Sequence, residues 1–163
     1  MVRFIKEQKA TLIVEGIMYN RTEGTYDCDI FTTERHYMLE GAMAAKKNVT
    51  DYLFTDSKGE RKFAEALDTA NEVCVYARLP KSFHIPTPVG NYAPDWAMAF
   101  NEGDVRYVYF IAETKGSMDD MELRGIEKTK TDCAAKLFAQ LSEGNVHYGV
   151  VDSYEKLRDL VMG

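Results

Sequence analysis

Two short stretches decide the fold: Tyr92-Ala93-Pro94-Asp95-Trp96-Ala97 and Ile111-Ala112-Glu113-Thr114-Lys115-Gly116. Each lies in or at the end of an apolar run, which is typical of strands in a sheet. Residues two apart in a strand point to the same face, so Glu113 and Lys115 are expected to project side by side. Asp95 on a neighbouring strand could meet them, which would place two carboxylates and one amine at one edge of a sheet.

These three side chains suit chemistry around a divalent cation. Two carboxylates can hold Mg²⁺ while leaving it several water ligands. A lysine beside the ion can orient or polarise a water, or stabilise charge that develops on a phosphate. The pattern therefore indicates metal-assisted hydrolysis of phosphodiesters. On the residues alone, an exposed salt bridge between Glu113 and Lys115, of little energetic consequence, stays an alternative.

The composition indicates one ordinary globular domain. The chain has 163 residues, of which 45% are hydrophobic and 28% are charged, and this length can bury a real core. No apolar run reaches the ~18 residues of a membrane span, and the first residues lack the apolar segment of a signal peptide. The three cysteines form no closely spaced pair, which argues against a zinc site and favours a reducing cytoplasm.

The net charge of −6 argues mildly against a protein that binds nucleic acid over its whole surface. Such binding depends mainly on Lys and Arg side chains that neutralise phosphates. A nuclease is not excluded, because metal-ligating acids add negative charge that the bound ion offsets. Weak affinity for DNA is therefore the expectation for this piece alone.

The order of secondary structure predicts a mixed α/β (α+β) fold. Ser57-Lys58-Gly59-Glu60 has the form of a capping box and predicts that a helix begins there. The predicted elements are, in order, a helix over roughly 58–70, strands over 73–77, 92–100 and 105–114, a long helix capped by Ser117 and ended by Gly144-Asn145, a strand over 146–151 and a helix over 154–162.

The first 50 residues are predicted to form a β-rich extension that packs on a core of residues 51–163. Strand-like residues 3–20 and 24–31 flank a turn and indicate a hairpin. The segment from Glu40 to Lys47 is interpreted as a short helix. One expected role of the extension is to cover an edge of the sheet.

The element order, with Pro94-Asp95 on the second strand and Glu113-Thr114-Lys115 on the third, resembles the PD-(D/E)XK nuclease superfamily. The flanking residues are similar to one family within it, the C-terminal endonuclease domain of the restriction (Res) subunit of type III restriction-modification enzymes. The similarity is carried by Phe63-Ala64-Glu65-Ala66-Leu67, the segment from Ala77 to Ala97, Glu113-Thr114-Lys115-Gly116-Ser117 and the helix residues between Leu123 and Phe138. It covers residues 57–138 well and the N-terminal third loosely. Leu137 departs from the family, whose helix is expected to carry a histidine there.

The resemblance implies a restriction-endonuclease-like αβββαβ core, a central mixed sheet flanked by helices. It implies the nuclease module of a bacterial type III site-specific deoxyribonuclease, which cleaves double-stranded DNA with Mg²⁺ or with Mn²⁺ in its place. Expected partners are a helicase-like motor domain, a methyltransferase (Mod) subunit and a second copy of the chain for double-strand cleavage. The chain contains no GxxxxGK[ST] phosphate loop, so ATP would act only through the motor domain.

The resemblance assigns metal ligation to Asp95, Glu113 and the backbone carbonyl of Thr114, and catalysis to Asp95, Glu113 and Lys115. Trp96 is expected to point away from Asp95, into the core. The main alternative function is a non-catalytic docking module of the same fold for a motor or methyltransferase subunit. A nuclease that acts on RNA or on single strands is a further alternative.

Four more residues are candidates with open roles. The capping position accounts for Glu60, but related nucleases place a metal-site glutamate on this helix. Lys130 falls within the apolar stripe of the long helix, so it either pairs with Glu127 or faces a polar pocket at the site. Arg78 and Lys81 are candidate contacts to the DNA backbone, and a solvated surface is the alternative.

Overall fold

The computed structural model describes residues 18–19, 41–101, 107–114, 125–141 and 146–162. The elements in these ranges are β1 (Met43–Ala44), β2 (Tyr52–Leu53), α1 (Lys58–Thr69), β3 (Val73–Arg78), β4 (Trp96–Asn101), β5 (Tyr107–Thr114), α2 (Gly125–Leu141), β6 (Val146–Val151) and α3 (Tyr154–Met162). From α1 to β6 they follow the predicted order of helix, three strands, helix and strand. The mixed α and β character is thereby confirmed.

A four-stranded sheet organises the fold, in the order β3-β4-β5-β6. β4 pairs with β3 and with β5 in antiparallel fashion, whereas β5 and β6 run parallel. Parallel neighbours need a crossover connection, and α2 lies between them in the chain and packs on β6. A separate two-stranded sheet joins β1 to β2.

The N-terminus of α1 forms as its sequence predicts. Ser57 is extended, and its Oγ accepts a hydrogen bond from the backbone N–H of Glu60 at 3.1 Å. The Glu60 carboxylate in turn accepts from the backbone N–H of Asp56 at 2.8 Å. These bonds satisfy amide groups that have no partner inside the helix, so the start of α1 is well defined.

One face of the sheet carries the larger hydrophobic core. Trp96, Met98 and Phe100 alternate along β4 and are all buried, as expected for residues two apart in a strand. Trp96 is fully buried and lies 5.6 Å from the ring of Phe63 on α1, so it points into the core as predicted. Other buried members of this cluster are Met43, Leu53, Ala64, Leu67, Val73, Tyr76, Val151 and Leu157.

A smaller cluster lies against α2. It contains Ile85, Tyr92, Ala134 and Phe138, with Tyr148 of β6 packed against it. The rings of Phe138 and Tyr148 stack with centroids 5.8 Å apart. The remaining partly buried members are Tyr19, Leu137 and Val146.

Tyr19 packs against this second cluster and is hydrogen-bonded beside it. Its backbone N–H donates to the Gln140 side chain at 3.0 Å, and its hydroxyl donates to the Pro86 carbonyl at 3.2 Å. Burial is the main cause that raises the pKa of Tyr19 to about 12, and burial also raises the pKa of the Cys133 thiol. Cys133 is therefore held as a protonated thiol, which is the unreactive form.

Two local predictions were wrong. The segment over 40–47 contains a strand, not a short helix, because Met43 and Ala44 pair with residues of β2 and Ala45 donates to the Asp51 carbonyl. β4 begins at Trp96 and not at residue 92. Pro94 cannot donate a ladder hydrogen bond, and Tyr92 pairs with Ile85 outside the sheet.

Several predictions fall outside the described residues: the hairpin over 3–20 and 24–31 apart from residues 18–19, the Ser117 cap and the Gly144-Asn145 helix end. The division of the chain at residue 50 stays a prediction. None of the described helices combines the length and the apolarity that crossing a bilayer requires.

Candidate active site

Asp95 lies where β3 and β4 begin to separate. Its carbonyl accepts a hydrogen bond from the Leu79 N–H at 2.8 Å, which continues the β3–β4 pairing one step beyond Arg78 and Trp96. Pro94 is fully buried and Asp95 is half-buried. Asp95 directly precedes β4, and because Trp96 faces the larger core, alternation along an extended chain predicts that Asp95 points to the opposite face.

The register of the sheet brings the positions of Asp95 and Glu113 together. Trp96 and Ala112 are the last pair of the antiparallel β4–β5 ladder, so Asp95 directly precedes that pair in the chain and Glu113 directly follows it. If the ladder continued by one step, the two backbones would be opposite each other. The Glu113 side chain and the whole of Lys115 lie outside what the structure describes.

The residue types at this position are ones that Mg²⁺ prefers. The ion binds a few carboxylates together with water, and Asp95 and Glu113 are the two acids that flank the last β4–β5 pair in the chain. The backbone of Thr114, which pairs with Val151 of β6, places a carbonyl next to them in the chain. Among the side chains that the structure describes, no three His, Cys, Asp or Glu residues gather. The proposed ligand set therefore depends on Glu113 joining Asp95.

Asp95 lines a groove of about 330 Å³. The residues around this groove are Arg78, Leu79, Lys81, His84, Asn91, Ala93, Pro94 and Asp95. Three residues selected from the sequence, Asp95, Arg78 and Lys81, are thus brought to one place. The groove combines cationic and amide side chains with one carboxylate, a suitable surface for a phosphate whose charge is partly offset by a cation.

Arg78 is held by other parts of the chain. Its guanidinium donates to the Phe54 carbonyl at 2.9 Å, and it forms ion pairs with Asp56 at 2.6 Å and Glu60 at 3.2 Å. Only 18% of its side chain is exposed. This network ties β3 to the start of α1 and to the segment before it, which favours a structural role for Arg78 over a contact with DNA.

Glu60 takes part in the same network. Its carboxylate accepts from the Asp56 N–H and pairs with Arg78, which itself lines the Asp95 groove. The capping role predicted for Glu60 is present in the structure, and a role as a metal ligand stays a prediction.

Lys130 and Glu127 lie on α2. Lys130 is half-buried between the buried residues Thr129 and Thr131, and Glu127 is exposed. The described contacts do not pair Lys130 with Glu127. An active-site role for Lys130 stays a prediction.

Residues 84–93 form a feature that is absent from the elements predicted from the sequence. Ile85 and Tyr92 exchange two backbone hydrogen bonds of 2.7 and 2.9 Å, so the segment is a short two-stranded ribbon. The Tyr92 hydroxyl lies 2.6 Å from that of Tyr148, which joins the ribbon to β6. The available signal was an apolar residue on each side of a turn-forming Pro-Thr-Pro-Val-Gly-Asn segment.

A family model described as an endonuclease domain matches residues 46–154, a range that includes Asp95, Glu113 and the groove. The Res subunit of the type III restriction-modification enzyme EcoP15I from Escherichia coli is 35% identical over 105 residues, which cover 61% of this chain and 11% of that subunit. The EcoPI Res subunit from Escherichia phage P1 is 36% identical over 93 residues, which cover 56% of this chain and 10% of that subunit.

The chain thus spans about a tenth of the length of these two relatives. No solved structure matches it. The similarity to the Res subunits concerns this one segment, and the resemblance drawn from the sequence is confirmed at the level of the family.

Proposed function

This chain belongs to the family described as an endonuclease domain, and on that premise we propose that it hydrolyses phosphodiester bonds of double-stranded DNA with Mg²⁺. The observation that supports this most is the sheet register, whose last β4–β5 pair, Trp96 and Ala112, is flanked in the chain by Asp95 and Glu113. Two acids next to one strand pair suit a two-carboxylate metal site.

The proposed roles follow from the chemistry of each residue. Asp95, Glu113 and the Thr114 carbonyl would hold Mg²⁺, and Mn²⁺ would substitute for it. The bound ion would supply Lewis-acid stabilisation of the phosphate and lower the pKa of a bound water. Lys115 would orient the attacking water and hold its ammonium near the phosphate oxygens. The hydrogen bond from the Leu79 N–H to the Asp95 carbonyl holds the backbone of Asp95 against the end of β3.

The wider context is also part of the proposal. The order of helix, three strands, helix and strand would be a restriction-endonuclease-like core, and the chain would be the cleavage module of a type III restriction enzyme in a bacterial cytoplasm. A helicase-like motor domain and a Mod subunit would be its partners. Two-strand cleavage would use a second copy of the chain or sequential nicking.

The test is cleavage of supercoiled plasmid DNA by the purified chain in the presence of Mg²⁺ or Mn²⁺. We expect Lys115→Ala to reduce nicking by about a hundredfold or more, the usual scale for losing a positioned charge that stabilises the transition state. Asp159→Asn, on an exposed residue of α3, is the matched surface control and should nick as the unmodified chain does. Equal nicking by the Lys115→Ala protein would exclude the proposed mechanism.

The docking-module alternative makes a different prediction. A docking module would ignore divalent cations, and Asp95→Asn would leave its association with a motor or Mod subunit unchanged. A panel of double-stranded DNA, single-stranded DNA and RNA substrates would separate the proposed function from a nuclease of another substrate class.

A further inference from the structure

We propose that the groove beside Asp95 holds the sugar–phosphate backbone of one DNA strand, with Lys81 and Asn91 as phosphate contacts and the 84–93 ribbon as its wall. The inference rests on the proposed function, since it concerns the same substrate. It adds phosphate contacts made by residues other than the proposed metal ligands, and these contacts are independent of base sequence.

The two faces of the ribbon have different environments: one is buried and the other lines the groove. Ile85 and Tyr92 are its paired residues, and both are buried in the cluster against α2. Side chains alternate between the faces of an extended segment, so the neighbours of this pair face the other way. His84, Asn91 and Ala93 accordingly line the groove. One face of the ribbon is an anchor, and the other forms a wall beside Asp95.

The anchor fixes the wall in place. Tyr92 is bonded to Tyr148 of β6, and Ile85 packs in the same cluster as Phe138 of α2. At the tip, the Gly90 N–H donates to the Thr87 carbonyl at 3.1 Å, and Gly90 has a φ of 110°, a conformation that favours glycine. A wall that is anchored at its base and ends in a hydrogen-bonded turn can present donors to a ligand without a large ordering cost.

The polar groups along the groove suit a phosphodiester. Lys81 and Asn91 are exposed, so an ammonium and an amide N–H₂ are presented to solvent at the groove. His84 is oriented by a hydrogen bond in which its Nδ1 donates to the Ser82 carbonyl at 3.0 Å. Arg78, in contrast, is bonded within the chain, which makes Lys81 the principal cation for a phosphate at this groove.

The size of the groove favours a strand over a whole duplex. Its volume of about 330 Å³ is near the lower end of the ~300–1,000 Å³ of ligand pockets. That volume suits a short length of backbone next to Asp95. Lysine and neutral amides make phosphate contacts of this kind, which position a strand and carry no sequence information.

The test measures binding separately from cleavage. A fluorescent duplex is titrated with the chain in EDTA at several salt concentrations, starting near 50 mM, where phosphate contacts contribute most. The variants are Lys81→Ala, Asn91→Ala and the double substitution. All sites are exposed, so the core stays intact, and thermal melting checks this.

Lys46→Ala is the matched control. Lys46 is exposed, and its backbone N–H bonds to Asp68 near the C-terminal end of α1, whereas Arg78 of the groove contacts Glu60 at the N-terminal end. Glu60 and Asp68 are eight positions apart in α1, so Lys46 and the groove contact the helix at points ~12 Å apart. Lys46→Ala removes the same charge away from the groove.

We expect Lys81→Ala to weaken binding about tenfold at the lowest salt and to reduce the slope of log K against log [salt] by about one. Asn91→Ala should weaken binding several-fold with an unchanged slope, because it removes a neutral donor. Lys46→Ala should change neither quantity.

Each outcome bears on the inference. If the groove variants bind the duplex as tightly and with the same slope as the unmodified chain, or if the unmodified chain does not bind the duplex, the inference is overturned. Cleavage that continues at full rate in such variants leaves the proposed function standing. If the groove variants lose binding and the unmodified chain cleaves no DNA, the result supports the groove as a DNA-binding surface and counts against the proposed function.

Discussion

The two faces of the four-stranded sheet differ in composition although the same strands form both. The first face, towards α1 and α3, is dominated by large apolar side chains such as Trp96 and Phe100. The second, towards α2, has a smaller cluster with a tyrosine pair and borders the groove at Asp95. Asp95 and Trp96 are adjacent in the chain, and alternation along an extended chain predicts that they point to opposite faces.

Adjacent residues therefore have different expected roles, Trp96 in stability and Asp95 in chemistry. The indole of Trp96 is fully buried and fixes the start of β4, which directly follows the carboxylate of Asp95. Substitution of fully buried Trp96 should therefore destabilise the protein strongly, whereas substitution of half-buried Asp95 should change its reaction with little effect on folding.

The largest expected effect on stability comes from Trp96. Trp96→Ala leaves a cavity beside Phe63 and Tyr76, whose rings lie 5.6 and 6.3 Å from the indole. We expect the free energy of unfolding to fall by about 3–5 kcal/mol, measured by urea denaturation. Trp96→Phe, which fills more of the space, should lose clearly less. Similar losses for both variants would mean that packing around the indole does not fix this strand.

Asp95→Asn should change activity strongly and stability little, the opposite of Trp96→Ala. The amide keeps the shape of the side chain and removes one metal-ligating charge, so we expect the free energy of unfolding to change by less than about 1 kcal/mol. Mg²⁺-dependent nicking should fall by about a hundredfold or more. A variant that unfolds as readily as Trp96→Ala would show that the two faces are not separate.

Arg78 and Lys81 provide a smaller contrast between two cations at the same groove. Arg78→Gln removes the bonds to the Phe54 carbonyl, Asp56 and Glu60 and should cost about 1–3 kcal/mol of stability. Lys81→Gln, on an exposed side chain, should cost less than about 0.5 kcal/mol. Chemical denaturation of both variants measures the difference. Equal costs would contradict the structural role assigned to Arg78.

The smallest effect is a pH-dependent one at the edge of the first face. The Tyr154 hydroxyl donates to the Glu72 carboxylate at 2.7 Å, and this bond is the main cause that lowers the pKa of Glu72. Because the pKa of Glu72 is lower in the folded protein, its ionised form stabilises the fold at pH values above the ordinary carboxylate pKa of about 4.3. That stabilisation is lost as the pH falls through the lowered pKa.

We therefore expect Tyr154→Phe to reduce the free energy of unfolding by about 1 kcal/mol or less at neutral pH, with a smaller difference in acid. Denaturation curves at pH ~7 and pH ~3 compare the two proteins on either side of the ordinary carboxylate range. A difference that grows as the pH falls would contradict the assignment.

The sequence predicted the elements whose signals are local. Ser57 and Glu60 define the start of α1, and the alternation along β4 placed Trp96 in the core, as the structure confirms. The prediction that β4 begins at residue 92 was wrong because the backbone of Tyr92 pairs with that of Ile85. That pairing lies outside the sheet, and periodicity alone does not reveal it.

The parts of the site that the sequence did not reveal depend on distant residues. Arg78 resembled an exposed cation, but Phe54, Asp56 and Glu60 converge on it from other segments. The ribbon is fixed by Tyr148, which lies 56 positions beyond Tyr92 in the chain. Such contacts follow from how the elements pack, and the residue types permit many other pairings.

The most direct test of the proposed metal site is calorimetric titration of the chain with Mn²⁺. If Asp95 and Glu113 share an ion, Asp95→Asn and Glu113→Gln should each weaken binding at least tenfold, the double variant should lose little more than either one, and the control Asp159→Asn should bind normally. Mn²⁺ affinity that is unchanged in both single variants would contradict the claim that these two residues form a metal site.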